Sequence, residues 1–260
     1  MRVLSIETAA PVASVALVDQ GGVVASRAMR APKRHLEWLA AAIDGMLTDL
    51  GFRADAVEAV AVGCGPGGFT GLRIGIATAA AWARARRVPV LGVGTLETLA
   101  ASAGGVGLVL PVLDAYRGEI AAALYEIRLD EAGSAEPVCL VPPVVAAPAA
   151  AVAEMRSAFA THDAGDRPLV VAGEGLVRRG GALVAALAGA GIRQVIQRPE
   201  AHPSAETAGL LARPRLLRGA RDDADGLLPL YGRRPEARPW QETRTPPGSG
   251  APDGTGAKYG

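Results

Sequence analysis

Residues Ala59–Trp82 read AVAVGCGPGGFTGLRIGIATAAAW. A short apolar strand, Ala59–Val62, opens the stretch. Five of the nine residues from Gly63 to Gly71 are glycine, and a helix begins near Leu72. Glycine serves a backbone that turns left-handed or passes close to something else. Pro66 does the opposite, with φ fixed and no N–H to donate. A loop mixing the two is held in one shape. The helix after it carries Gly71, Gly75, Ala79 and Ala83 at spacings of four. That spacing makes one flat face along which a neighbour can approach closely.

Three readings compete for this stretch. A phosphate-binding loop needs Gly-Lys-Ser/Thr at the helix start, and the only lysines, Lys33 and Lys258, are far away. A dinucleotide fingerprint fits Gly63, Gly65 and Gly68, but it needs an acidic residue ~20 positions on. That region gives Arg84, Arg86, Arg87 and Val90–Val93, with no carboxylate before Glu97. The third reading is a tight strand-to-helix turn with a small-residue helix packed on a sheet. On the residues alone the third is favoured.

Composition bounds the rest. The 260 residues suffice for one large or two small domains. Half are hydrophobic, so a substantial core can be built, and a net charge of +1 argues against a standing commitment to nucleic acid or membrane. Cys64 and Cys139 share no metal spacing, and a reduced cytoplasm suits them. The start, MRVLSIETAA, lacks the apolar run of a secretory signal. No apolar stretch reaches the ~20 residues that span a bilayer; Val106–Leu113 is far too short. A cytoplasmic location is the expectation.

In chain order, Val3–Ile6, Ala13–Val18 and Val23–Ala28 read as strands, with Gly21-Gly22 as a turn. Leu36, Leu39, Ala40, Ile43, Met46, Leu47 and Leu50 have helical spacing, and Gly51 ends the helix. The central strand, glycine loop and helix follow, then the strand Val90–Val93. Thr95 stands where it could cap a helix running toward Ala103. The second half repeats the plan. Leu108–Leu113, Glu119–Ile127 and Pro137–Val141 read as strands and Pro148–Ala160 as a helix. Leu169–Ala172 is a strand, ending at Gly173-Glu174-Gly175. Val177–Leu187 is a helix, Gln194–Ile196 a strand and Ser204–Leu217 a helix capped by Ser204.

Each half therefore reads βββαβαβα, which predicts an α/β fold of two pseudo-repeated halves facing a cleft, the actin-like ATPase architecture. The expected division is 1–104, 105–231 and a tail, 232–260, whose Pro, Gly, Arg and Thr content predicts disorder.

Five stretches carry a resemblance to a known family. LSIETA at Leu4–Ala9, RHLEWL at Arg34–Leu39 and VGCGPGGFTGLRIGIATA at Val62–Ala79 resemble the TsaB family, as do LDAYRGE at Leu113–Glu119 and LPLY at Leu228–Tyr231. The loop Gly65, Pro66, Gly67, Gly68, Phe69, Thr70, Gly71, with Arg73 just beyond, is the specific signature. The resemblance implies a subunit of the bacterial machinery that makes threonylcarbamoyladenosine in tRNA, beside the anticodon. It implies no catalysis by this chain alone, since the paralogue TsaD holds the metal and the ATPase TsaE joins them. Binding to TsaD would run through the helices Leu36–Leu50 and Leu72–Arg86, with tRNA as substrate of the complex. No cofactor is expected to be tightly bound, with ATP only in the assembled complex. Homodimerisation alone is left open.

The residues test that picture in part. Catalytic metal sites usually take three protein ligands with histidines prominent. His35, His162 and His202 have no second histidine at i+3 or i+4, so no metal and no catalytic residue are assigned. Glu7 and Asp114 each end the first strand of a half, and Glu7, Thr8, Asp114 and Arg117 are candidate cleft residues. Against a nucleotide site, the turn Thr8-Ala9-Ala10-Pro11 has no glycine to offer phosphates. Glu7 is then a turn residue bonded to Thr8 or Ser14. The alternative function is an actin-like small-molecule kinase using ATP-Mg. For the partner surface, the flat face of the Leu72 helix and the apolar stripe beside it suggest Leu36, Leu39, Ile43, Met46, Leu72, Gly75 and Ala79. On that expectation Ala79→Trp leaves the monomer folded and blocks the partner.

Overall fold

The computed structural model describes residues 1–30, 35–130 and 133–230, without the side chains of 35–37. The predicted tail, 232–260, lies outside the described residues.

The first half runs β1 (Val3–Glu7), β2 (Val12–Asp19), β3 (Gly22–Arg30), α1 (His35–Asp49), β4 (Ala59–Gly63), α2 (Phe69–Arg86), β5 (Val90–Val93) and α3 (Thr95–Ser102). The second runs β6 (Gly107–Asp114), β7 (Ile120–Leu129), β8 (Ala135–Ala146), α4 (Pro148–Thr161), β9 (Leu169–Ala172), α5 (Gly175–Gly189), β10 (Val195–Arg198) and α6 (Ala205–Leu217). The sheets are ordered β3-β2-β1-β4-β5 and β8-β7-β6-β9-β10, so the two halves share one topology. In each, two antiparallel hairpin pairings lead into two parallel ones. The predicted βββαβαβα repeat is the observed one.

Alternation along the strands builds a core on each face. In the first sheet Leu4, Ile6, Val15, Leu17, Val60 and Val62 face α1 and α2. Val3, Ala59, Ala61, Leu91 and Val93 face the opposite way, onto Ala208, Leu211, Ala212 and Leu216 of α6. In the second sheet Leu108, Leu110, Val112 and Leu124 meet α4 and α5. Val109, Leu113, Ala121 and Ala123 meet Leu96, Leu99 and Ala100 of α3. The last helix of each half thus covers the other half's sheet. Glu97 of α3 and Arg215 of α6 form a two-pronged ion pair, and Ser102 donates to Thr207 at 2.9 Å. A cut at residue 104 assigns these two helices by chain order, whereas packing exchanges them.

The small face of α2 corrects the partner surface expected from sequence. Leu72 and Ala79 are fully buried, as is Gly75, and the stripe lies on this chain's own sheet. A Cβ on Gly71 would sit well inside 3.0 Å of the Thr8 carbonyl oxygen, and one on Gly75 equally close to the Thr8 hydroxyl. Leu39, Ile43 and Met46 are at most 2 % exposed and belong to the same core. Six of the seven expected contacts are therefore interior; the side chain of Leu36 lies outside the described ones. Four-residue spacing marks close approach, and here the approaching backbone is the chain's own β1–β2 turn.

Other boundaries shift for local reasons. Helix α2 starts at Phe69, three residues before the expected Leu72, with Gly68 as its cap in extended geometry. Strand β8 runs through Pro142 and Pro143 because it is the sheet's edge, where a missing N–H costs no ladder bond. Thr95 is inside α3 and does not cap it; its hydroxyl accepts from Gly65 N–H at 3.0 Å. Ser204 does cap α6, accepting from Thr207 N–H at 3.2 Å. Past α6, Asp222 bonds the free edge of β5 through Val90 and Gly92, and Leu230 N–H reaches Cys64 O at 2.7 Å. Leu227 of this strap packs on the first core.

Ala79→Trp should therefore overpack the first core and cost about 1–3 kcal/mol. At ~2–4 °C per kcal/mol for a chain of this size, thermal melting should drop by several degrees. Wild-type melting would return Ala79 to the surface.

Candidate functional site

A cleft of about 330 Å³ opens between the halves. One wall is the β1–β2 turn, Thr8–Pro11, and the first turn of α2, Gly67–Gly71. The other is Leu113, Asp114 and Tyr116 of the β6–β7 hairpin, with Glu174 before α5.

The glycine loop is fastened on three sides. Gly68 N–H donates to Ala9 O at 2.7 Å, and the Thr8 hydroxyl donates to Gly71 O at 2.8 Å. Gly65 and Thr95 exchange two bonds, Gly65 N–H to the Thr95 hydroxyl and Thr95 N–H to Gly65 O at 2.8 Å. A Cβ on Gly67 would strike the Ala9 carbonyl. These glycines let α2 and its loop lie against the β1–β2 turn. The N–H groups of Gly65 and Gly68 are spent inside the protein, where a phosphate cradle would point them at a ligand. Arg73, one turn on, lies over the Phe69 ring at 3.8 Å from its centroid.

The four candidate cleft residues separate. Thr8 and Asp114 line the cleft. Glu7 does not: it is wholly buried behind Gly63. One oxygen accepts from Ala9 N–H at 2.7 Å, the backbone of the expected Thr8 also bonds the carboxyl, and the other oxygen has no partner. Burial pushes its carboxyl up to about 7, against the bonds from Ala9 and Thr8. Arg117 is exposed at the hairpin tip, and its neighbour Tyr116 takes the place in the cleft wall. Asp114 accepts from Tyr116 N–H at 3.3 Å and lies 3.8 Å from the Arg178 guanidinium.

Glu174 was missed by the sequence reading. It faces the cleft, and burial, then the Asp114 charge, hold its carboxyl above the usual range, against Arg30 and Arg178. The repeat contained the signal: Gly173-Glu174-Gly175 follows β9 as the glycine loop follows β4. A kinase reading needs carboxylates from both halves facing across the cleft, and the burial of Glu7 removes one. Among the described residues no three His, Cys, Asp or Glu side chains gather as a metal-binding group.

Two halves of one topology around a cleft, each sheet covered by the other half's last helix, define the actin-like class of α/β proteins. Comparisons with known proteins narrow the class. A family profile described as TsaD, tRNA N6-adenosine threonylcarbamoyltransferase, matches residues 9–237. The TsaB protein of Escherichia coli K12, named for tRNA threonylcarbamoyladenosine biosynthesis, is 39% identical over 129 residues, covering 48% of this chain and 55% of its own. That of Bacillus subtilis is 32% identical over 129 residues, covering 49% and 56%. The solved structure of YeaZ from Pseudomonas aeruginosa superposes with a TM-score of 0.70 at 27% identity, covering 88% of this chain and 99% of that one. The chain belongs to the tRNA N6-adenosine threonylcarbamoyltransferase family, in its TsaB branch. It spans about half the length of the curated relatives it matches. Among the described residues no helix is long and apolar enough to cross a membrane.

The burial of Glu7 has a measurable signature. Its carboxyl titrates near 4.5 unfolded and about 7 folded, so the folded chain holds the extra proton between those values. Stability is then lost as pH rises through that window, by on the order of 3 kcal/mol in full. Thermal melts of wild type and Glu7→Gln should show the difference shifting in the variant's favour between pH 5 and pH 8. A difference independent of pH would place Glu7 in contact with water.

Proposed function

We propose that this chain is the non-catalytic partner subunit of the bacterial tRNA threonylcarbamoyladenosine transferase complex, acting by binding the catalytic paralogue TsaD. The observation that carries the reading is the use of the glycine loop. Its N–H groups at Gly65 and Gly68 bond Thr95 and Ala9, so these two glycines hold a rigid platform under α2 and do not face a ligand. The curated relatives named for threonylcarbamoyladenosine biosynthesis support the pathway.

The docking face in this proposal is the outer side of α1 and α2. Ala40, Ala41 and Asp44 of α1 and Ala77 and Ala81 of α2 are exposed, with little side chain to hinder an approaching helix. Between the two helices lies a groove of about 450 Å³ lined by Ile43, Thr78 and Trp82 among others. A helix pair from TsaD seated there completes a four-helix arrangement. TsaE joins the complex, tRNA is its substrate, and the chain alone holds no nucleotide tightly.

The test is reconstitution. With tRNA, ATP, threonine, bicarbonate and the threonylcarbamoyl-adenylate synthase, this chain alone should give no modified nucleoside by mass spectrometry. Adding TsaD and TsaE should give it. Ala81→Arg should keep wild-type melting, abolish co-elution with TsaD and reduce product at least ~10-fold, since a buried unpaired charge at an interface costs several kcal/mol. Product from this chain and the synthase alone would refute the non-catalytic role, and undisturbed co-elution of the variant would move the docking face elsewhere.

A further inference from the structure

Two large aromatic side chains stand at the mouth of the cleft, one from each half. Phe69, in the first turn of α2, is 54% exposed, and Tyr116, in the β6–β7 hairpin, is 68% exposed. The backbone is bent to hold Tyr116 there. Tyr116 has φ 59° and Arg117 φ 50°, a left-handed conformation that bulky L-residues adopt at a cost. Tight bonds secure it: Glu119 N–H to Tyr116 O at 2.9 Å and Ala115 N–H to Glu119 O at 3.1 Å. Strain of this kind gathers where a side chain must be presented in a fixed place.

The surroundings indicate what the two rings would hold. Arg73 stacks on Phe69, and exposed Arg117 adjoins Tyr116, so each aromatic lip carries a cation. The floor between them offers Asp114 and Glu174, which accept hydrogen bonds, and the hydroxyl of Thr70. A volume of about 330 Å³ suits one small ligand, not an extended one. Aromatic faces bind nucleobases of any sequence by stacking, with cations tracking the phosphates. A free nucleoside triphosphate fits poorly, because the Gly65 and Gly68 N–H groups are spent inside the chain and the floor is acidic.

We propose that the cleft takes one unstacked nucleotide of single-stranded RNA, its base between Phe69 and Tyr116 and its flanking phosphates on Arg73 and Arg117. The acidic floor favours bases with an exocyclic amine, so adenine and cytosine bind better than uracil. The inference rests on the reading of this chain as part of a tRNA-modifying complex, and it gives the chain its own contact with the RNA.

The experiment uses the full chain and eight-nucleotide single-stranded RNAs, (A)8, (C)8 and (U)8, each with a central 2-aminopurine whose emission reports stacking. Binding should change that emission, with (A)8 and (C)8 tighter than (U)8. Tyr116→Ala and Phe69→Ala should each weaken binding about 5- to 20-fold with wild-type melting, while Tyr116→Phe keeps it within about twofold. The arginines of the C-terminal stretch are common to all variants, so differences among them report the cleft. Equal binding by Tyr116→Ala and wild type, unchanged emission, or binding of duplex RNA or ATP as tight as that of (A)8 would overturn the proposal. Co-elution with TsaD, measured on the same variants, separates the two claims. Its persistence when RNA binding fails overturns the cleft assignment alone, and its absence in the wild type overturns the reading beneath it.

Discussion

The structure depends on how closely α2 can lie against the β1–β2 turn. At Gly67, Gly71 and Gly75 the helix backbone and its loop face Ala9 and Thr8 with no room for a methyl group. A Cβ at any of them would push α2 off the sheet by a good part of an ångström. Core side chains such as Ile76 and Ala79, packed to crystal-like density in one cluster with Ile6 and Leu4, would lose contact. The same approach sets the position of the α2 N-terminus, and with it one wall of the cleft. Two bonds pin the contact, Gly68 N–H to Ala9 O and the Thr8 hydroxyl to Gly71 O. One short-range constraint therefore supplies the core, the cleft wall and the orientation of the helix face turned outward.

The second constraint is the exchange of α3 and α6. Because each covers the other half's sheet, the halves share two cores as well as a cleft. The Glu97–Arg215 pair and the Ser102–Thr207 bond cross between the exchanged helices. The strap after α6 returns to the edge of β5 and to Cys64, whose thiol burial pushes up to about 12. A buried neutral thiol under a strap is part of the packing and has no thiolate to react. Halves so connected bring Tyr116 and Phe69 to the walls of one cleft.

Much of this was legible in the residues. Period-two and period-3.6 apolar patterns gave both βββαβαβα halves, because sheets covered on both faces impose those periods. The exchange of α3 and α6 was not legible, since an apolar face does not say which sheet it meets. The small stripe of α2 suggests an opening for a partner and is an internal seam; spacing records close approach and not its occupant. Its place at the end of a central strand suggests the cleft for Glu7, but alternation turns it behind Gly63. The cleft positions of Glu174 and Tyr116 are not legible, for opposite reasons. Glu174 needed the two halves compared turn by turn. Tyr116 needed a backbone angle that composition does not encode. The strap of Asp222–Leu230 has no periodicity and is held by backbone bonds, so only its LPLY segment stood out.

The central claim is that the glycines of the signature seat α2 against the β1–β2 turn and that partner binding falls to the outer faces of α1 and α2. Hydrogen–deuterium exchange of the chain with and without TsaD tests it most directly. The account predicts added protection in peptides covering Ala40–Thr48 and Ala77–Arg86, with exchange at the bonded Gly65 and Gly68 N–H groups already slow in the free chain. Protection confined to the cleft, at Thr8–Pro11 and Asp114–Gly118, with the two helices unchanged, would contradict it.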